Sequence, residues 1–85
     1  MKVFKKEWQG TQIDLVNTSK RCELRIDGKT QDFIEGLFPK KGTSLNGTNA
    51  NGDKIKITFK LNLILTTYII YYNEKEIYSG YITAM

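Results

Sequence analysis

The 85-residue sequence contains no histidine, one cysteine (Cys22) and one proline (Pro39). Without histidine, the commonest general base near neutral pH and the commonest nitrogen ligand for metals are both missing. A single cysteine cannot close an internal disulfide, and with no histidine beside it no zinc site is expected. Neither metal nor cofactor is expected. No apolar run approaches the ~18 residues of a membrane-spanning helix, so no membrane partner is expected either. The segment Met1–Trp8 carries Lys2, Lys5, Lys6 and Glu7 and lacks the apolar stretch of a secretory signal, which points to a cytoplasmic location. A phosphate-cradling glycine loop is missing too, because Gly42, Gly47 and Gly52 recur every five residues and none opens a helix.

What remains is an ordinary folded composition, 40% hydrophobic and 26% charged. Residues 1–85 are expected to form one domain, with the thin core of a chain this short. The formal net charge is +4, unevenly placed. Twelve of the thirteen Lys and Arg residues lie in residues 1–60, interleaved with seven acidic ones, and Lys75 alone follows.

Period-two alternation dominates the pattern and predicts strands. Arg21–Asp27 sets Arg21, Glu23 and Arg25 against Cys22, Leu24 and Ile26. Lys54–Lys60 sets Lys54, Lys56, Thr58 and Lys60 against Ile55, Ile57 and Phe59. Met1–Trp8, Gln12–Asn17, Thr30–Ile34, Thr43–Thr48, Leu63–Tyr72 and Glu76–Ile82 complete the set. Thr30–Phe38 also accommodates one helical turn, and Asn46-Gly47 is expected to interrupt Thr43–Thr48. Turns are expected at Gln9-Gly10, Asn17–Lys20, Asp27-Gly28-Lys29, Pro39–Gly42, Asn49–Asp53 and Asn73–Lys75, with Asn51-Gly52 as a positive-φ pair and Gly80 as a bulge. Two similar hairpin units emerge, Gly10–Lys29 and Gly52–Lys75. The expected fold is therefore all-β, a small antiparallel sandwich or barrel of seven to eight short strands.

Little catalytic chemistry is legible, and no enzyme is expected. Asp27, Asp32 and Glu35 lie close in sequence, but acid–base work would need one of them with a raised pKa, and the turn accounts for Asp27. Asn49-x-Asn51-Gly52-Asp53 lacks the distal glutamate of a calcium loop. Cys22 shares a strand face with Leu24 and Ile26 and reads as a small buried hydrophobe.

Two surfaces stand out. Tyr68, Tyr71, Tyr72, Tyr78 and Tyr81 crowd the last eighteen residues, and tyrosine suits recognition surfaces because it joins an apolar body to a polar tip. The leading expectation is a non-catalytic module that binds a protein, or a second copy of itself, through this hairpin. The second surface is a basic stripe of Lys54, Lys56 and Lys60, extended by Arg21, Arg25 and the Lys5-Lys6 pair. With stacking tyrosines it would suit an oligonucleotide. A small-ligand pocket in a barrel mouth is the third alternative.

The order of a Trp8-bearing strand, Gly10-x-x-Ile13-x-Leu15, a strand ending in Ile26-Asp27-Gly28-Lys29, then Gly47, a second sheet strand and a Tyr-rich hairpin resembles the β-sandwich of the Fas apoptotic inhibitory molecule family. The resemblance spans residues 8–78. It implies a non-enzymatic sandwich that acts through interaction surfaces, and it carries over no functional residue. This chain departs in its loops and is shorter at its C-terminal end.

Overall fold

A computed structural model describes residues 2–36, 43–61 and 65–83. They form eight antiparallel strands: β1 (Lys2–Trp8), β2 (Thr11–Asn17), β3 (Arg21–Ile26), β4 (Lys29–Glu35), β5 (Ser44–Thr48), β6 (Lys54–Leu61), β7 (Leu65–Tyr72) and β8 (Lys75–Thr83). They pair in chain order within two four-stranded sheets, β1-β2-β3-β4 and β5-β6-β7-β8. No backbone ladder joins the sheets among the described residues. The Cα radius of gyration is 11.9 Å, matching the ~12 Å of a compact chain of this length.

Local chemistry explains the meander. Gln9-Gly10, Asp27-Gly28 and Asn73-Glu74 each place two consecutive residues at positive φ, between 49° and 84°. This is the primed turn whose twist matches that of the flanking strands. Glu74, at φ 70°, holds this conformation without the freedom of glycine, whereas Asn73 belongs to a type that tolerates it. Asp27 also accepts the Gln12 amide at 2.9 Å, which ties its turn to β2. Asn17–Lys20 is spanned by Thr18, whose hydroxyl bonds Arg21 O, Arg21 N and Lys20 N.

Alternation then sends one face of each strand inward. Ile13, Leu15, Cys22, Leu24 and Ile26 of the first sheet meet Leu45, Ile55, Ile57, Phe59, Tyr68, Ile70, Tyr72 and Ile82 of the second in one buried cluster. Each fully buried aliphatic side chain contributes about 1.5–3 kcal/mol by leaving water.

The two sheets share a repeat. Register shifts fall between Leu24 and Arg25 in the β3–β4 ladder and between Ile70 and Tyr71 in the β7–β8 ladder. Gln31 and Ile77 are the extra residues, each three positions past its turn. A bulge reverses the face on which later side chains lie. Thr30 therefore points outward while Asp32 points inward, and Glu76 points outward while Tyr78 points inward.

The strand expected at Thr30–Ile34 forms as β4, Lys29–Glu35, in place of the alternative helical turn, while Leu37, Phe38 and the Pro39–Gly42 loop lie outside the described residues, as does the start of Leu63–Tyr72. Other sequence expectations change. Asn46-Gly47 does not interrupt β5. Gly47 is there because a Cβ would lie 2.7 Å from Ile26 Cδ1 and 2.8 Å from Gln31 Cβ. Gly80 is no bulge; it pairs with Tyr68, whose ring occupies the space a Cβ would need. Of Asn51-Gly52, only Gly52 has positive φ, at 83°.

Gly47→Ala is expected to destabilise the fold by about 1–3 kcal/mol through overpacking, measured by chemical unfolding. Unchanged stability would mean that Gln31 and Ile26 yield without cost.

Candidate functional site

Two sheets have two outer faces and four edges, and the sequence-selected residues divide among them. On the outer face of the first sheet, Glu23 sits between Arg21 and Arg25. Glu23 points outward as alternation requires, yet it is 4% exposed. Arg21 Nε donates to Glu23 Oε2 at 2.9 Å, Thr30 Oγ1 donates to Oε1 at 2.9 Å, and Arg25 approaches Oε1 at 3.4 Å. The Arg21 guanidinium also lies 4.6 Å from the centre of the Phe33 ring. Burial alone would raise the Glu23 pKa, but the bonds from Thr30 and Arg21 and the two cationic charges hold it below the usual range. Arg21 and Arg25 are thus committed to an internal carboxylate.

Lys54, Lys56 and Lys60 occupy the outer face of the other sheet. The basic stripe is therefore split across the molecule. Lys5-Lys6 divides again: Lys5 is exposed on the first sheet's outer face, while Lys6 turns inward, its ammonium 5.0 Å above the Tyr78 ring.

The tyrosines separate by parity. Tyr68 and Tyr72 belong to the core and are buried. The Tyr68 ring packs on Phe4, with centroids 5.3 Å apart, and on Tyr78 at 6.1 Å. Burial, then the charge of Tyr78 and a hydrogen bond with it, push its pKa to about 12. Tyr72 donates to Asp53 Oδ2 at 2.7 Å. Tyr71 is half-buried on the outer face, beside Lys56 and Glu76 in register. Tyr78 is 40% exposed on the inner side of β8, and Tyr81, at 62%, projects from its outer side opposite Thr67. The five do not make one patch; Tyr78 and Tyr81 present rings on opposite sides of one edge strand.

A groove of about 640 Å3 crosses the outer face of β5–β7, lined by Gln31, Asn46, Lys54, Lys56, Tyr71 and Glu74 among others. The sequence did not indicate it, because it forms where Gln31 of β4 closes against β5.

Of the carboxylates near the β3–β4 hairpin, Asp27 and Asp32 take backbone amides, and Glu35 is exposed at the end of β4. Asp32 accepts Phe33 N at 2.9 Å and, across to the other sheet, Asn46 N at 3.0 Å. Asn49 folds its own loop by accepting Asn51 N and Asp53 N, and its amide reaches Thr11 Oγ1 at 3.0 Å and Tyr72 Oη at 2.9 Å. Bonds from Asn73, Tyr72 and Asn49 lower the Asp53 pKa. Cys22 is 1% exposed, and burial, assisted by the charge of Glu23, pushes its thiol to about 12. Burial of this kind disfavours the thiolate. Among the described residues no group of three or more His, Cys, Asp and Glu could hold a metal ion, and no helix is long and apolar enough to cross a membrane. No protein-family model, curated protein or solved structure matches the chain.

Glu23 and Asp53 both sit below their unfolded values, so the folded state binds fewer protons. Their stabilisation is complete above the carboxylate range of about pH 4 and is lost as pH falls through the folded values. Thermal unfolding from pH 7 to pH 2 should show the melting temperature falling below about pH 4. Asp53→Asn should lower it at pH 7 and flatten part of that acid decline. An Asp53→Asn curve parallel to wild type would remove Asp53 from this account.

Proposed function

We propose that this protein is a non-catalytic two-sheet sandwich that self-associates through the outer edge of β8. The observation that carries this reading is the chemistry of the four edges. Exposed edge strands pair with other strands unless charge, proline, shortness or a bulge prevents it. Edge β1 carries Lys2, Lys5, Lys6 and Glu7. Edge β4 carries Lys29, Asp32 and Glu35 together with the Gln31 bulge. Edge β5 is five residues long, and its Asn46 amide is taken by Asp32. Edge β8 is nine residues long, and beyond its bulge Tyr78-Ser-Gly-Tyr-Ile-Thr83 has neither charge nor proline.

A second copy is the simplest occupant, because antiparallel pairing of two β8 strands is closed by one two-fold axis. Each strand supplies backbone hydrogen bonds while Tyr78 and Tyr81 cover the seam from either side, the mode of β-strand addition. The order of motifs that resembles the Fas apoptotic inhibitory molecule sandwich implies the same class of function, interaction without catalysis.

Sedimentation across a concentration series should show a dimer forming as concentration rises into the high micromolar range. Tyr81→Lys, at an exposed position, should keep the circular dichroism spectrum and remain monomeric. A wild-type protein monomeric throughout would contradict the proposal, and so would a Tyr81→Lys variant that associates as wild type does.

A further inference from the structure

We infer that the outer face of β5–β7 is a binding site for single-stranded nucleic acid, distinct from the β8 edge. Lys54, Lys56 and Lys60 project from one face of β6, and all three are exposed. None of the three forms an ion pair with a described residue, in contrast to Arg21 and Arg25, which hold Glu23. Consecutive outward positions on a strand are about 7 Å apart, and Lys54 to Lys60 spans roughly 20 Å. That spacing follows the phosphates of an extended strand, which a duplex, with its phosphates wound around an axis, does not present in one line.

Beside the lysines lies the groove of about 640 Å3. Its wall holds Tyr71, paired with Lys56 and next in line to Asn46 across β6. A half-buried aromatic ring next to a cation and carboxamides provides a stacking surface with hydrogen-bonding groups at its rim. Protein surfaces that take single strands combine these same parts, a cationic track and an aromatic platform. Placement on the face, rather than at the rim of the core, leaves the groove open along β6, so a polymer can continue past it. Glu74 lines the groove at the hairpin end and Glu76 neighbours Tyr71. These carboxylates weaken anion binding locally and place the phosphate track on the β6 side of Tyr71.

Fluorescence anisotropy with labelled oligo-dT and oligo-rU single strands tests this. Three neutralised phosphates give a logarithmic salt slope near −2, a weakening of roughly twentyfold between about 50 and about 200 mM salt. Lys54→Glu/Lys56→Glu should abolish binding, and Tyr71→Ala should weaken it at least about fivefold. Glu74→Gln should tighten it, whereas Lys5→Glu, on the opposite face, should leave it unchanged. Melting curves would confirm that each variant is folded. No binding at about 50 mM salt would overturn the proposal. So would an unaltered affinity in the folded double variant or in Tyr71→Ala, or an equal loss in Lys5→Glu, which would signify net charge without a site. Tighter binding to a duplex of the same length would overturn it as well.

Discussion

An open four-stranded sheet ends in two strands whose outward backbone groups lack ladder partners, and two such sheets give this chain four edges. Hydrophobic burial fixes the inner faces, but it does nothing for those edges. The way each is handled decides what the molecule presents to its surroundings. At the β4–β5 junction the sheets are joined by a side chain in place of a ladder: Asp32 accepts the Asn46 amide, while Gly47 allows Gln31 and Ile26 to close in. Where β1 meets the second sheet the corresponding links are made by rings and an ammonium group, with Phe4 against Tyr68 of β7 and Lys6 over Tyr78 of β8. The internal repeat makes this difference concrete. Tyr78 stands 46 residues after Asp32, at the same place past the bulge, as Asn73 does relative to Asp27. One repeat uses the position to satisfy a neighbouring strand and the other leaves β8 with its outward edge open.

The bulges also connect fold to charge. Gln31 brings Asp32 inward opposite Leu24, while Thr30, still paired with Arg25 ahead of the bulge, keeps its hydroxyl on Glu23. Glu23 is the hub of the first sheet's outer face, and it draws in both arginines. On the outer face of the other sheet Lys54, Lys56 and Lys60 are exposed and have no such carboxylate among the described residues. Folding thus separates two arginines that share one carboxylate on one face from three exposed lysines on the other.

Much of the architecture was legible because it is local. The alternation in Arg21–Ile26 and Lys54–Lys60, and turn residues such as Gly10, Asp27-Gly28 and Asn73, act within a few positions. Parity alone separates Tyr68 and Tyr72 from Tyr71 once β7 is recognised. What escaped depends on contacts distant in sequence. Gly80 reads as a bulge until the Tyr68 ring is seen above it, and Gly47 reads as a strand break until Gln31 is seen beside it. Bulges at Gln31 and Ile77 reverse parity without any local signature, so the inward placement of Asp32 and Tyr78 could not be read from alternation onward from their turns. The opposition of Arg25 to the lysine stripe, and the groove beside Tyr71, require knowing which sheet each strand joins.

The central claim is that β8 is the edge at which this protein meets a second copy. Residue-resolved amide hydrogen exchange at low and high protein concentration tests it most directly, because strand pairing protects backbone groups that an open edge leaves to water. Protection across Tyr78–Ile82 should rise with concentration while β1 and β4 exchange at constant rates. Exchange in β8 that is independent of concentration, or protection that grows first at β1 or β4, would contradict the account.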